Sequence, residues 1–333
     1  MKRIAVLGAG SWGTALAVHL ARIGHDVWLW AREPEVVEDI RTRRANAIFL
    51  PDVVLPPAIE ATNDLAEALA GSGLVLTAVP SHGLRGVVKR AAASLEPGAV
   101  VVSATKGIEE GSLLTMSEVI AQELGPTHPV VVLSGPTFAL EVARELPAAV
   151  VAASASQTAV MMVQEEFRGR AFRVYASEDV VGVEIGGALK NVVAIAAGTV
   201  EALGLGQNAL AALITRGLVE ISRLAFALGG QRDTLAGLSG LGDLVLTCTG
   251  SLSRNRHVGI ELGKGRPLAE IVASMKMVAE GVRTTDAALA LGARCGVELP
   301  IAQKMHEIMS GKSPRVAVEE LMLRRQRPEA ERK

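Results

Sequence analysis

Lys190 and Asp243 are the two side chains best suited to moving a proton. Lys190 stands inside the apolar run 184–197, where burial disfavours an ammonium and brings its pKa toward the range useful for proton transfer. The alternative is a lysine that lays its stem along apolar surface and keeps its charge in water. Asp243 follows the Gly-rich stretch 238–242 and could orient that ammonium, or stand as an ordinary loop carboxylate. Ser253-Arg254-Asn255, at an expected helix start, offers a guanidinium and an amide to a phosphate, while Ser253 alone would serve as an N-cap. Lys106 lies in Ser103-Ala104-Thr105-Lys106-Gly107, just past the carboxyl end of the fourth expected strand, the edge where open α/β sheets bind ligands. Ser134-Gly135-Pro136-Thr137-Phe138-Ala139 repeats that arrangement after the fifth, with small residues that a flat ring can approach. Val278-Ala279-Glu280-Gly281 sets a carboxylate at a helix start, where it would meet ribose or amide groups or simply complement the helix dipole. Taken singly, each has a structural explanation; their presence in one chain suggests a shared site.

Gly8-Ala9-Gly10-Ser11-Trp12-Gly13 follows the first strand and opens a helix through Thr14-Ala15-Leu16-Ala17, the context that gives GxGxxG its meaning. Gly8 makes the tight turn, Gly10 removes the Cβ that would hold a pyrophosphate off the backbone, and Gly13 lets helix and strand pack closely. The helix N-terminus then turns free N–H groups toward the anion. At the end of the second strand Arg32 suits a 2′-phosphate, and Glu33 beside it suits free ribose hydroxyls. The loop predicts a bound dinucleotide, NADPH or NADH, with NADP accepted.

These residues need a scaffold, and the hydrophobic patterning supplies one. Strands are expected at 3–7, 26–30, 74–79, 99–103, 130–134 and 148–152, with an edge strand at 172–175. Helices are expected to begin near Ser11, Pro34, Asp64, Ser81, Ser112 and Thr137, an alternation that marks a parallel sheet with crossover helices. After Ser177 helical spacing takes over, at 179–203, 207–228, 253–262, 267–275, 281–294, 300–309 and 316–324. The expected fold class is α/β, a Rossmann-like, doubly wound, mostly parallel sheet followed by an all-helical domain. The expected division is 1–178 for the dinucleotide, 179–324 for the substrate, and a charged, mobile tail at 325–333.

The length, 333 residues, is about twice the ~150 usual for one domain. Hydrophobic residues at 49% against 21% charged exclude a disordered chain. With 34 Lys plus Arg and 35 Asp plus Glu, a net charge of -1, no global field favours nucleic acid, and none is expected as a partner. The 2 cysteines, Cys248 and Cys295, build no disulfide framework and lack metal-ligand spacing, so a reducing compartment and no metal are expected. Met1 leads directly into Lys2, Arg3 and a strand rather than an export signal, which points to the cytoplasm. The longest uncharged stretch, 146–164, is broken by Pro147 and diluted by Ser154, Ser156 and Gln157, so no stable membrane insertion is expected.

In order and combination, the loop at 8–17, Ala104-Thr105-Lys106-Gly107, Ser134 to Ala139, Leu189-Lys190-Asn191, Gly240-Leu241-Gly242-Asp243-Leu244, Ser253-Arg254-Asn255 and Ala279-Glu280-Gly281 resemble the bacterial NAD(P)-dependent glycerol-3-phosphate dehydrogenases along nearly the whole chain. The resemblance implies reversible reduction of dihydroxyacetone phosphate to sn-glycerol 3-phosphate for phospholipid synthesis. It implies Lys190 as proton donor in reduction, with Asp243 orienting it. Lys106, Ser253, Arg254 and Asn255 would hold the substrate and its phosphate, and Gly135 and Thr137 would place it near the ring. Ser11, Trp12, Arg32, Lys106, Ala139, Arg254, Val278 and Glu280 would line the cofactor. With the excess of apolar helices in the second half, the resemblance also implies a homodimer. A departure at Leu140-Glu141, where many relatives carry a basic residue before the glutamate, is expected to alter the local surface or the cofactor affinity, with little effect on the chemistry. A β-hydroxyacid or hydroxyacyl dehydrogenase is the nearest rival, but its substrate would need a clamp of different shape from Arg254 and Asn255. A nucleotide sensor without turnover would have no use for Lys190 and Asp243.

Overall fold

The computed structural model describes residues 2–275 and 277–325. Most of the expected tail, 326–333, lies outside the described residues. Eight strands, β1 Arg3–Leu7, β2 Asp26–Trp30, β3 Ile59–Thr62, β4 Leu74–Thr77, β5 Val100–Ser103, β6 Val130–Ser134, β7 Ala148–Ala153 and β8 Phe172–Ser177, make one sheet in the order β3-β2-β1-β4-β5-β6-β7-β8. Neighbours run parallel except β6 with β7. The central strands are buried along their whole length, LVLT in β4 and VVVS in β5, as expected of parallel strands covered on both faces.

The strand at Ile59–Thr62 was not among those expected, so Lys106 follows the fifth strand and Ser134 the sixth. It is a short edge strand whose alternation hides in four residues: Ile59, Ala61 and Thr62 are buried while Glu60 faces out. The helix expected near Ser112 starts at Met116, capped by Thr115 and Glu118 in a reciprocal capping box. The helix expected near Thr137 starts at Ala139. Helices at Gln157–Phe167 and Asp243–Thr249 were not foreseen. The Gly-rich stretch before Asp243 is a turn of wide π-type helix, Leu238–Gly242, that runs directly into the second of these, so Asp243 is a helix-opening residue and not a loop carboxylate.

The helical half is organised around Val180–Ala202, which is buried over almost its entire circumference, the pattern of a helix enclosed by others. Among the described residues it is the one helix long and apolar enough to cross a membrane, and 89% of its most apolar window is buried inside the protein. Asp179 caps it, accepting from the Gly182 N–H at 2.8 Å. The helix Arg254–Gly263 crosses it with backbones nearly touching. A Cβ at Gly198 would fall 1.9 Å from the Arg256 carbonyl oxygen, and one at Gly259 would fall 1.8 Å from that of Ile195. These two glycines bring Arg254 and Asn255 alongside the helix that carries Lys190.

Candidate active site

Lys190 projects from the buried helix Val180–Ala202 and donates to the Asp243 carboxylate. Its Nζ also donates to Thr247 Oγ1 at 2.9 Å, and that hydroxyl in turn donates to the Asp243 carbonyl at 2.6 Å. Lys106 approaches from beyond β5, donating to the other Asp243 oxygen at 2.6 Å and to the Gly135 carbonyl at 3.2 Å. One wholly buried carboxylate therefore serves two ammoniums, Asp243 being 0% and Lys190 6% exposed. Burial drives the Lys190 pKa down, opposed by the Asp243 charge and reinforced by Lys106, to about 7. A lysine so placed both holds and releases a proton near neutrality. Cys248, next to Thr247, is pushed up by burial to about 12, which leaves no thiolate to act as a nucleophile.

The glycines flanking Lys190 make this convergence possible. A Cβ at Gly187 would meet Ser134 Oγ at 2.7 Å and the Lys106 stem at 3.7 Å, and one at Gly186 would meet the Ser239 carbonyl at 2.7 Å. Gly135, at φ +149, lies so close to β7 that a Cβ would come within 2.9 Å of Val150 Cα. Thr137 turns its hydroxyl back to the Gly135 carbonyl at 3.2 Å. Lys106, Gly135, Thr137, Lys190 and Asp243 thus stand together, with Thr247 as a member that sequence reading missed. A threonine one helical turn after Asp243 was the available sign, once a helix there is recognised.

A second group adjoins the first. Asn255 donates to Asn191 Oδ1 and accepts from the Gly281 N–H, each at 2.9 Å, so Asn255 locks two helices together beside Lys190. The Ser253 hydroxyl accepts from the Arg256 N–H as an N-cap, which is its structural reading. Arg254 opens that helix, exposed to solvent and close enough to Glu280 to feel its charge. Val278 precedes Glu280, which opens the helix Glu280–Cys295.

At the dinucleotide loop, Gly8 takes φ +115, and a Cβ there would sit 2.8 Å from the Ala78 carbonyl oxygen. A Cβ at Gly13 would be 1.9 Å from the Gly8 oxygen, whereas one at Gly10 would meet nothing within 4 Å. The open space at Gly10, a helix N-terminus at Ser11 with no side-chain cap and the buried, unpartnered Trp12 Nε1 together fit a phosphate-bearing ligand. Ser11 donates to the Phe49 carbonyl at 2.6 Å. Asn46, unnoticed in the sequence, is buried and donates to the Ala9 carbonyl at 2.8 Å, holding the loop's shape. Arg32, at the end of β2, donates to Glu33 Oε1 at 2.6 and 3.0 Å, so the two groups expected to compete for the ribose are paired with each other. Ala139 begins the short helix after β6. A cavity of about 580 Å³ bounded by His19, Arg22, Val142 and Phe172 lies at the opposite end of the helix Ser11–Arg22 and contains none of these residues. Among the described residues no group of His, Cys, Asp and Glu is arranged to hold a metal.

A glycine-rich strand-to-helix loop on a parallel sheet, facing a helical half that delivers a buried lysine and aspartate, defines a two-domain NAD(P)-dependent oxidoreductase. The family models described as NAD-dependent glycerol-3-phosphate dehydrogenase N-terminus and C-terminus match residues 3–160 and 179–319, and the chain belongs to that family. It is 55% identical to the glycerol-3-phosphate dehydrogenase [NAD(P)+] of Koribacter versatilis, over 97% of this chain and 98% of that protein. It is 53% identical to the Geobacter sulfurreducens protein of the same name, over 97% of each. The crystal structure of glycerol-3-phosphate dehydrogenase from Coxiella burnetii superposes with a TM-score of 0.94 at 42% identity, covering 97% of this chain and 99% of that one.

Proposed function

We propose that the chain reduces dihydroxyacetone phosphate to sn-glycerol 3-phosphate, in the cytoplasm, as a step toward glycerophospholipids. The observation that carries this reading is the sharing of buried Asp243 by Lys190 and Lys106 near the N-terminus of the helix that Arg254 opens. The nicotinamide supplies the hydride. Lys190 then gives its proton to the ketone oxygen as negative charge grows there, and takes it back in the oxidative direction. Asp243 keeps the ammonium aimed and favours its charged form, and Thr247 fixes its second hydrogen bond. Lys106, with Gly135 and Thr137, holds the glycerol end of the substrate, while Arg254, Asn255 and the helix N-terminus capped by Ser253 take the phosphate. Gly8, Gly10, Ser11, Trp12, Gly13, Arg32, Ala139, Val278 and Glu280 hold the dinucleotide, together with Lys106 and Arg254.

The division falls at 178/179, the second domain ending near 324. The enzyme works as a homodimer without stable membrane insertion and without nucleic acid; light scattering at micromolar concentration tests the dimer, and a monomer there removes it. The reaction itself is tested by the phosphate dependence of NAD(P)H oxidation, since a clamp built for a phosphate leaves unphosphorylated dihydroxyacetone a poor substrate.

A further inference from the structure

Ser81 opens the 11-residue helix Ser81–Ala91 that follows β4, and it is only 4% exposed. The turn from β4 into this helix packs on the dinucleotide loop, since the Ala78 carbonyl oxygen lies 2.8 Å from a Cβ built at Gly8. From the helical half, Glu280 reaches across and accepts twice from this one residue: the Ser81 N–H donates to Oε1 at 3.1 Å and the Ser81 hydroxyl to Oε2 at 2.6 Å. Gly107 leaves the space for that approach, since a Cβ there would fall 2.6 Å from Ser81 Cβ and 3.7 Å from Glu280 Oε2. The backbone beside Glu280 is anchored independently, by the Gly281 N–H on Asn255 and by Asn255 on Asn191. What remains to set is the direction of the carboxylate, and Ser81 sets it.

We infer that Ser81 is a positioning residue of the cofactor site, holding the Glu280 carboxylate across the cleft between the two domains so that it faces the dinucleotide. The inference rests on the proposed reading that Glu280 contacts the cofactor. An N-terminal serine that only started its own helix would need no partner from the other domain. Here the carboxylate takes two charge-assisted hydrogen bonds, which are stronger than neutral ones and directional. Losing the hydroxyl leaves the backbone N–H as the single tether, with Glu280 free to swing.

The test is the dissociation constant of NADH, followed by its fluorescence on binding, for the wild-type protein, Ser81→Ala, Ser81→Thr and Glu280→Ala, with thermal midpoints alongside. Ser81→Ala is expected to weaken NADH binding about tenfold, the loss of one hydrogen bond to a charged group, while kcat at saturating NADH changes by less than about threefold. Ser81→Thr, which keeps the hydroxyl, is expected to restore binding. Wild-type affinity in Ser81→Ala with weakened affinity in Glu280→Ala would overturn the role of Ser81 and leave Glu280 as a cofactor contact. Wild-type affinity in both would remove Glu280 from the cofactor site, and the inference with it. Equal losses of affinity and midpoint in Ser81→Ala and Ser81→Thr would make Ser81 a helix-starting residue and nothing more.

Discussion

Replacing Asp243 with Asn removes the one carboxylate that two ammoniums share, at nearly constant volume. In the intact site burial lowers the Lys190 pKa, Asp243 raises it and Lys106 lowers it, leaving it at about 7. A pair of unit charges about 4 Å apart in surroundings of effective dielectric ~20 is worth about 4 kcal/mol, and one pKa unit is about 1.4 kcal/mol. Losing the attraction therefore lowers Lys190 by about two to three further units, while Lys106 still repels it. At pH 7.5 the protonated fraction falls about a hundredfold or more, and kcat/KM for ketone reduction should fall with it. The sign is specific: the wild-type reductive rate should decline as pH rises through about 7, and the variant's decline should begin at lower pH. Lys190 can shed its proton rather than remain an uncompensated buried charge, so the fold survives, which a thermal midpoint checks. The assay is NADPH absorbance against dihydroxyacetone phosphate from pH 6 to 9. A kcat/KM within about tenfold of wild type at pH 7.5, with the profile unmoved, would refute the coupling of Asp243 to the Lys190 proton.

Gly13→Ala places a Cβ 1.9 Å from the Gly8 carbonyl oxygen and 3.2 Å from Ala78 Cβ, contacts that backbone must yield to relieve. A stability loss of about 1–3 kcal/mol and severely weakened NADH binding are expected, and urea unfolding unchanged from wild type would show that the loop relaxes freely. Glu220 is pushed up by burial to about 7 while it accepts from the Ile301 N–H at 2.7 Å. Its neutral form therefore contributes stability that is complete below the ordinary carboxylate range and is lost as pH rises through about 7, a change of about 3 kcal/mol. Glu220→Gln keeps an acceptor and should flatten that slope between pH 5 and 8; parallel slopes in the two proteins would place the pH dependence elsewhere.

The dinucleotide half was legible because each of its devices is local. A strand, a GxGxxG turn and a helix start occupy consecutive residues, and Gly8, Gly10 and Gly13 each meet the contact, or the open space, that their roles require. Ile59–Thr62 escaped notice because an edge strand of four residues barely shows its alternation, and two prolines precede it. The helix at Asp243 was obscured by glycines that read as a turn, although Gly240 and Gly242 serve a wide helical turn that delivers the carboxylate into the core. Lys190 was legible as a charge in an apolar run. Its partners were less so: Lys106 reaches Asp243 over a separation that no periodicity encodes, Thr247 shows only once the helix at Asp243 is recognised, and Asn46 and Ser81 act through hydrogen bonds to residues far away in the chain. The small residues beside Lys190 hinted at a close approach, but only the packed structure identifies what approaches as Ser134, Lys106 and the Ser239 backbone. Arg32 and Glu33 read as rivals for one ribose, and the fold pairs them instead.

The most direct test follows NADPH and NADH oxidation by the purified wild-type protein and by Lys190→Ala, with dihydroxyacetone phosphate, unphosphorylated dihydroxyacetone and a 3-keto acid as substrates. The predicted result is rapid turnover of the phosphorylated ketone alone, reduced at least about a thousandfold in Lys190→Ala while NADH still binds. Tight cofactor binding without phosphate-dependent turnover, or full activity in Lys190→Ala, would contradict the account.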